Sequence, residues 1–125
     1  MPIPIAIALG GALGSWLRYA IATEVTDRAG VIGAGTFAVN LVGAFVLGLL
    51  FGVIEVRFPD TPRWVGSGLS LGVLGGFTTF SSFALDAFRQ VEDGRPGLAL
   101  AYVAGTVALG LTAAFVGVWL GRQAG

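Results

Sequence analysis

Four long apolar segments alternate with three short polar stretches along the chain. The apolar segments cover residues 3–22, 31–54, 64–87 and 97–120. At about 1.5 Å per residue, a helix of about 20 residues crosses a hydrocarbon core of about 30 Å. The polar stretches TEVTDRAG, EVRFPDTPR and FRQVEDGRP hold most of the charges. The pattern predicts an all-α membrane protein with four transmembrane helices in a single domain, residues 1–125.

The composition supports a membrane protein and narrows its chemistry. The chain is 55% hydrophobic and 11% charged, whereas soluble domains are typically about a quarter charged. Seven basic residues balance seven acidic ones, so no net charge favours nucleic acid as a partner. Cysteine and histidine are absent, which excludes disulfides and thiol chemistry.

Apart from Arg18, which is predicted near the end of the first span and would tip a strict count slightly, the arginines divide equally between the two sides of the predicted membrane. Arg57, Arg63 and Arg122 share the side of the N-terminus, and Arg28, Arg89 and Arg95 lie on the other. Since an excess of positive charge in cytoplasmic loops normally sets orientation, this chain is expected to insert both ways and form an antiparallel (dual-topology) homodimer. The alternative is one orientation fixed by the amino terminus or by lipid.

Glycines recur at four-residue spacing within the predicted spans. Gly10 and Gly14 lie in the first span; Gly68, Gly72 and Gly76 lie in the third; and Gly117 and Gly121 continue from Ala113 in the fourth. Helices in lipid approach closely where small residues face each other. These stripes therefore predict tight helix packing.

The stretch GGFTTFSSF, residues 75–83, interrupts the third span near its middle. Glycine has poor helix propensity, and serine and threonine side chains compete for backbone hydrogen bonds. A helix break is predicted here, whose freed carbonyls need a partner such as a cation or a second broken helix. An unbroken helix with hydroxyls bonded to their own backbone is the alternative.

Other polar side chains lie at or near membrane depth, where a functional role is the first hypothesis. They are Arg18, Asn40, Tyr102, Thr106 and Thr112. Each also has a structural interpretation: Arg18 can extend to the headgroups, Asn40 can join helices, and the hydroxyls can bond within their own helix.

Two other kinds of protein fit the sequence less well. A small multidrug-type antiporter needs a buried carboxylate, and the one nearest to a span interior, Asp86, is expected at the end of the third span. A scaffold without transport leaves Asn40 and the break unexplained. No nucleophile lies beside a base, so an enzyme is not expected.

Taken together, these motifs resemble the small dual-topology fluoride channels of bacteria, the Fluc or CrcB family. GGFTTFSSF carries the resemblance, with GGALGSWLRY, TFAVNLVGAFVLGLL and YVAGTVALGL in the same order. The resemblance covers essentially the whole chain. It implies a passive, fluoride-selective channel of the bacterial inner membrane that exports cytoplasmic fluoride and relieves its toxicity. The family's form is an antiparallel homodimer with two pores and a central structural sodium ion.

The resemblance also implies roles for individual residues. Backbone carbonyls of Gly75 and Thr78 would bind the sodium ion, and Arg18 would set a positive potential at the pore entry. The pore would be lined by Asn40, Phe80, Ser81, Phe83, Tyr102, Thr106 and Thr112. The chain departs from the family at three positions: Thr106 where serine is commoner, Ala108 where a hydroxyl is found, and Ser82 in place of a frequent threonine.

Overall fold

The computed structural model describes all residues from Met1 to Gly125 and is entirely helical. In chain order the elements are α1 Ile3–Ala29, α2 Ala34–Arg57, α3 Arg63–Ser67, a π-helix Gly68–Leu74, α4 Gly75–Phe77, α5 Phe80–Glu92 and α6 Pro96–Arg122. The elements from α3 to α5 form one segment, Arg63–Glu92, here called the third span. This span and α1, α2 and α6 are each long and apolar enough to cross a membrane. The predicted all-α architecture with four such segments is confirmed.

Prolines and glycines set the helix ends. Pro4 lies in the first turn of α1 and Pro96 begins α6, where the missing amide hydrogen has no cost. At the other end of α1, Gly30 has φ +69° and its N–H donates to the Thr26 carbonyl, a left-handed stop that glycine adopts without steric penalty. Consequently α1 runs seven residues beyond the predicted boundary at 22.

The glycine stripes lie at two helix contacts. A Cβ added to Gly10 would lie 3.0 Å from Val73 N, and one added to Gly76 would lie 2.7 Å from Gly11 O. Likewise, a Cβ on Gly52 or Gly117 would lie 2.9 Å from a backbone nitrogen of the facing helix. The predicted tight packing is confirmed: α1 pairs with the third span, and α2 pairs with α6.

Most of the apolar surface faces outward. Only 19 of 125 residues are buried, and large side chains such as Leu100, Phe115 and Trp119 are more than 60% exposed. A single chain with this surface is suited to contact with lipid or with another copy. Its interior is thin, and polar residues are concentrated around the interruption of the third span.

Candidate functional site around the broken third span

Two extended residues, Thr78 and Thr79, interrupt the third span and are here called the break. Their φ, ψ angles are −85°, 157° and −151°, 122°. Thr78 is the last residue bonded into the preceding helix: its N–H and its Oγ1 both donate to the Leu74 carbonyl, at 3.0 and 3.1 Å, and its extended backbone ends the helix. Thr79 begins α5 as its N-cap, with Oγ1 accepting from Ser82 N at 3.1 Å. The predicted interruption is confirmed. The Thr78 hydroxyl bonds to the end of the helix before it, and the Thr79 hydroxyl caps the start of α5.

Asn40 of α2 binds the backbone of the break with both atoms of its amide. Nδ2 donates to the Thr79 carbonyl at 2.9 Å, and Oδ1 accepts from Thr79 N at 2.7 Å. This pair fixes the orientation of the amide, since only oxygen accepts and only nitrogen donates. Asn40 therefore joins α2 to the third span, and its second Nδ2 hydrogen remains available as a donor.

Arg18 of α1 also reaches the third span. Its Nε donates to the Gly76 carbonyl at 3.1 Å. Because α1 continues to Ala29, Arg18 lies eleven residues from the helix end, or about 16 Å along the axis. The side chain is half-buried at the level of the break, and its Nε is bound to backbone within the protein.

The break removes the helical donors, Thr79 N to Ser82 N, of the four carbonyls from Gly75 to Thr78, and two of these carbonyls are Gly75 O and Thr78 O. In a continuous helix Gly75 O would accept from Thr79 N, and Thr78 O from Ser82 N. Here Thr79 N donates to Asn40 and Ser82 N donates to Thr79 Oγ1. These are the two carbonyls that the sequence analysis assigned to a sodium ion.

Aromatic rings follow the break on α5. Phe80 is 79% exposed and Phe83 is 8% exposed, with ring centroids 5.7 Å apart and planes tilted by 57°. Phe83 also lies 5.2 Å from Tyr102 of α6. Ser81, between the two phenylalanines, is exposed with its Oγ 3.3 Å from Thr79 Oγ1. Phe80 thus presents its ring outside the single chain, while Phe83 lies inside it.

The three hydroxyl residues of α6 have different environments. Tyr102 and Thr106 are each 8% exposed, and neither hydroxyl has a hydrogen-bond partner within the chain. Thr112 is exposed and donates to Ala108 O of its own helix at 2.8 Å. Since buried polar groups normally have partners, Tyr102 and Thr106 are the two hydroxyls in this helix whose hydrogen-bonding capacity is unused within the chain.

A polar face on α5 contacts α2 and the segment before it, and sequence reasoning did not predict these contacts. Asp86 Oδ2 accepts from Thr36 Oγ1 at 2.8 Å, so this carboxylate faces α2 within the subunit rather than marking the end of a span. Gln90 is 2% exposed and donates to the Ile32 carbonyl at 2.8 Å. Ser82, Asp86 and Gln90 recur every four residues, a signal of one polar helix face.

A cavity of about 320 Å³ opens beside this polar face. Its lining includes Thr36, Ser82, Asp86 and Arg89, together with Thr26 of α1. The cavity connects the end of α1 with the interior side of α5. The subunit therefore contains a polar recess that begins at Ser82, three residues after Thr79, and extends toward the end of α1.

Comparison with known sequences gives the family of this chain. The profile described as "CrcB-like protein, Camphor Resistance (CrcB)" matches residues 5–118. The chain belongs to the CrcB family. CrcB-family relatives include proteins called fluoride-specific ion channel FluC from Pseudomonas fluorescens strain Pf0-1, Azotobacter vinelandii and Stutzerimonas stutzeri. They are 41%, 41% and 43% identical over 96%, 94% and 94% of this chain. The matches span 97%, 95% and 94% of the relatives.

These findings establish which general class of protein this CrcB-family chain belongs to. Its relatives are bacterial proteins named as ion channels rather than enzymes, and it has four helices able to cross a membrane. It is therefore a multi-pass bacterial membrane protein. The resemblance expected from the sequence motifs is confirmed.

Proposed function

We propose that this protein is a passive, fluoride-selective ion channel that lets cytoplasmic fluoride leave across the bacterial inner membrane and so relieves fluoride toxicity. The observation that carries the proposal is the break at Thr78 and Thr79, held by Asn40, in a chain whose relatives are named fluoride-specific channels. Non-helical backbone at membrane depth is tolerated where it is buried or lines a polar cavity.

The working form is an antiparallel homodimer with two pores, each lined by both subunits. The 79% exposed Phe80 ring and the outward apolar faces supply a surface for a second copy. The equal division of arginines between the two sides supports insertion in both orientations. Two oppositely inserted copies are related by an axis in the membrane plane.

A structural sodium ion fits the free carbonyls at the break. Gly75 O and Thr78 O lack their helical donors, and a two-fold axis beside them would bring four such oxygens together. The chain has no cluster of acidic, histidine or cysteine side chains able to bind a metal ion. Backbone carbonyls are thus the fitting donors for a hard monovalent cation, which would join the two subunits.

Fluoride would move along several donors of moderate strength. Asn40 offers its second Nδ2 hydrogen, Ser81, Tyr102 and Thr106 offer hydroxyls, and Phe80 and Phe83 offer the positive edges of their rings. Thr112 would have to release Ala108 O before its hydroxyl could donate to fluoride. Arg18 would raise the local potential for anions. A strongly hydrated anion needs its hydration shell replaced without being trapped, and several neutral donors in series meet both needs.

Anion efflux from liposomes containing the purified protein tests this function, with fluoride and chloride electrodes read in parallel. Electrically driven fluoride efflux without chloride efflux is the expected result. If neither fluoride nor chloride leaves the liposomes, although the protein is shown to be a folded dimer with sodium present, the channel hypothesis is contradicted and the scaffold hypothesis is favoured. Fluoride efflux that requires an opposing proton gradient would instead indicate an exchanger.

A further inference from the structure

Side chains bind two of the five carbonyls from Gly75 to Thr79, while Gly75 O, Phe77 O and Thr78 O have lost their helical donors. Gly76 O accepts from Arg18 Nε, and Thr79 O accepts from Asn40 Nδ2. Gly75 O and Thr78 O, each one residue earlier, have lost the amide donors of a continuous helix. Side chains from two different helices therefore bind Gly76 O and Thr79 O, and each of these bound carbonyls directly follows a free one.

The position of Arg18 on α1 explains how it reaches Gly76. Gly11, Ser15 and Arg18 follow one face of α1 at helical spacing. Gly76 packs against this face, since an added Cβ would lie 2.7 Å from Gly11 O and 3.2 Å from Ser15 N. The backbones are too close there for another side chain, so Arg18, one turn further on, extends along the contact to the Gly76 carbonyl.

We propose that Arg18 is a positioning residue: its Nε–H holds the Gly76 carbonyl and, with Asn40 on Thr79, leaves the Gly75 and Thr78 carbonyls free to bind a cation. The inference rests on the sodium site of the proposed function. In this role Arg18 acts through a hydrogen-bond donor at the position of Nε. If Arg18 acted only by raising the potential at the pore entry, its effect would depend on its positive charge instead.

The charge of Arg18 opposes a nearby cation, whereas its hydrogen bond helps to form the cation site. Like charges repel more strongly where water is excluded. A neutral donor at the position of Nε should therefore serve the site at least as well. Glutamine supplies one, because its Nε2 is the same number of bonds from the backbone as arginine Nε, and methionine places a methyl group there.

The test compares Arg18→Gln with Arg18→Met in the full-length dimer. Thermal dissociation of the dimer in detergent is followed as sodium replaces N-methylglucamine, which gives an apparent sodium affinity. We expect R18Q to match or exceed the wild-type affinity, and R18M to lose about tenfold or more, as for a lost hydrogen bond to a charged group. An R18Q affinity reduced tenfold or more would overturn the proposal.

If R18M does not yield a folded dimer, Arg18→Lys takes its place in the comparison with R18Q. A role that depends on charge predicts that R18K retains sodium affinity and R18Q loses it. A role as donor at the position of Nε predicts the reverse order, because lysine has a methylene group at that position and its ammonium group lies one bond further out. Fluoride efflux from the same variants reports separately on the entry potential, where R18Q is expected to fall below R18K.

Failure of the proposed function is distinguishable from failure of this inference. If the stability of the wild-type dimer does not depend on the sodium concentration, the proposed sodium site is contradicted. The Arg18 contact is then read from the infrared band of a ¹³C=¹⁸O label at Gly76. That band is expected to shift to higher frequency in R18M but not in R18Q, and equal bands in all variants would overturn the contact itself.

Discussion

At the scale of single residues, Asn40 has the most specific chemistry at the break. Asn40→Asp keeps an acceptor for Thr79 N but turns a negative oxygen toward the Thr79 carbonyl. We expect fluoride efflux from liposomes to be lost, and the free energy of unfolding to fall by about 1–3 kcal/mol. Gln123→Glu, the same change of group at an exposed site, is the control. Wild-type efflux in Asn40→Asp would show that the Asn40 amide does not donate to fluoride in the pore.

Phe80 allows the ring-edge hypothesis to be tested apart from packing, because the ring is 79% exposed in the single chain. Phe80→Ile retains an apolar side chain but removes the aromatic edge. We expect fluoride efflux to fall at least about tenfold, equivalent to about 1.4 kcal/mol, with the subunit fold unchanged. Phe88→Ile on the same helix, where the ring is 58% exposed, is the matched control. Equal efflux from the two variants would exclude the ring as a ligand.

At the scale of elements, the pairing of α2 with α6 depends on glycine. A Cβ on Gly117 would contact Phe45 O and lie 2.9 Å from Leu49 N, both backbone atoms that cannot rotate away. Gly117→Ala should therefore destabilise the protein by about 1–3 kcal/mol through overpacking. Gly97→Ala in the first turn of α6 meets no atom within 4 Å and should not destabilise it. Denaturant unfolding followed by tryptophan fluorescence measures both, and equal stability of the two variants would contradict this contact.

At the scale of the whole molecule, the balance of arginines predicts that small changes of charge fix the orientation. Adding Gln123→Arg and Ala124→Arg should place the C-terminus in the cytoplasm, while Glu92→Arg and Asp93→Arg should place it outside. Each double variant alone should lose fluoride resistance in cells, because an antiparallel pair cannot form. Co-expression of the two should restore it.

C-terminal reporter fusions on the same variants measure the orientation directly. The controls carry glutamine in place of each introduced arginine, which means Ala124→Gln beside the native Gln123 in one variant and Glu92→Gln with Asp93→Gln in the other. Both controls should leave both orientations populated. Full fluoride resistance from a single variant of fixed orientation would contradict the antiparallel dimer.

The sequence by itself determined the four helical segments and the place of the interruption, although the apolar pattern ended the first span at residue 22 and the structure ends α1 at Ala29. These features depend on local physics: helix length against membrane thickness, the stops provided by Gly30 and the prolines, and the competition of Thr78 and Thr79 side chains with backbone bonding. The glycine stripes likewise showed that helices pack closely, because small residues are needed wherever backbones approach.

Only the tertiary structure decided which helices meet and which polar groups pair. Spacing along the chain does not indicate that α1 packs on the third span, that Arg18 reaches Gly76, or that Asn40 uses its amide on Thr79. The same holds for Asp86, which bonds to Thr36 from a position fifty residues away. These contacts depend on helix rotation and depth, which the apolar pattern of a membrane segment leaves nearly free because most of its faces are hydrophobic.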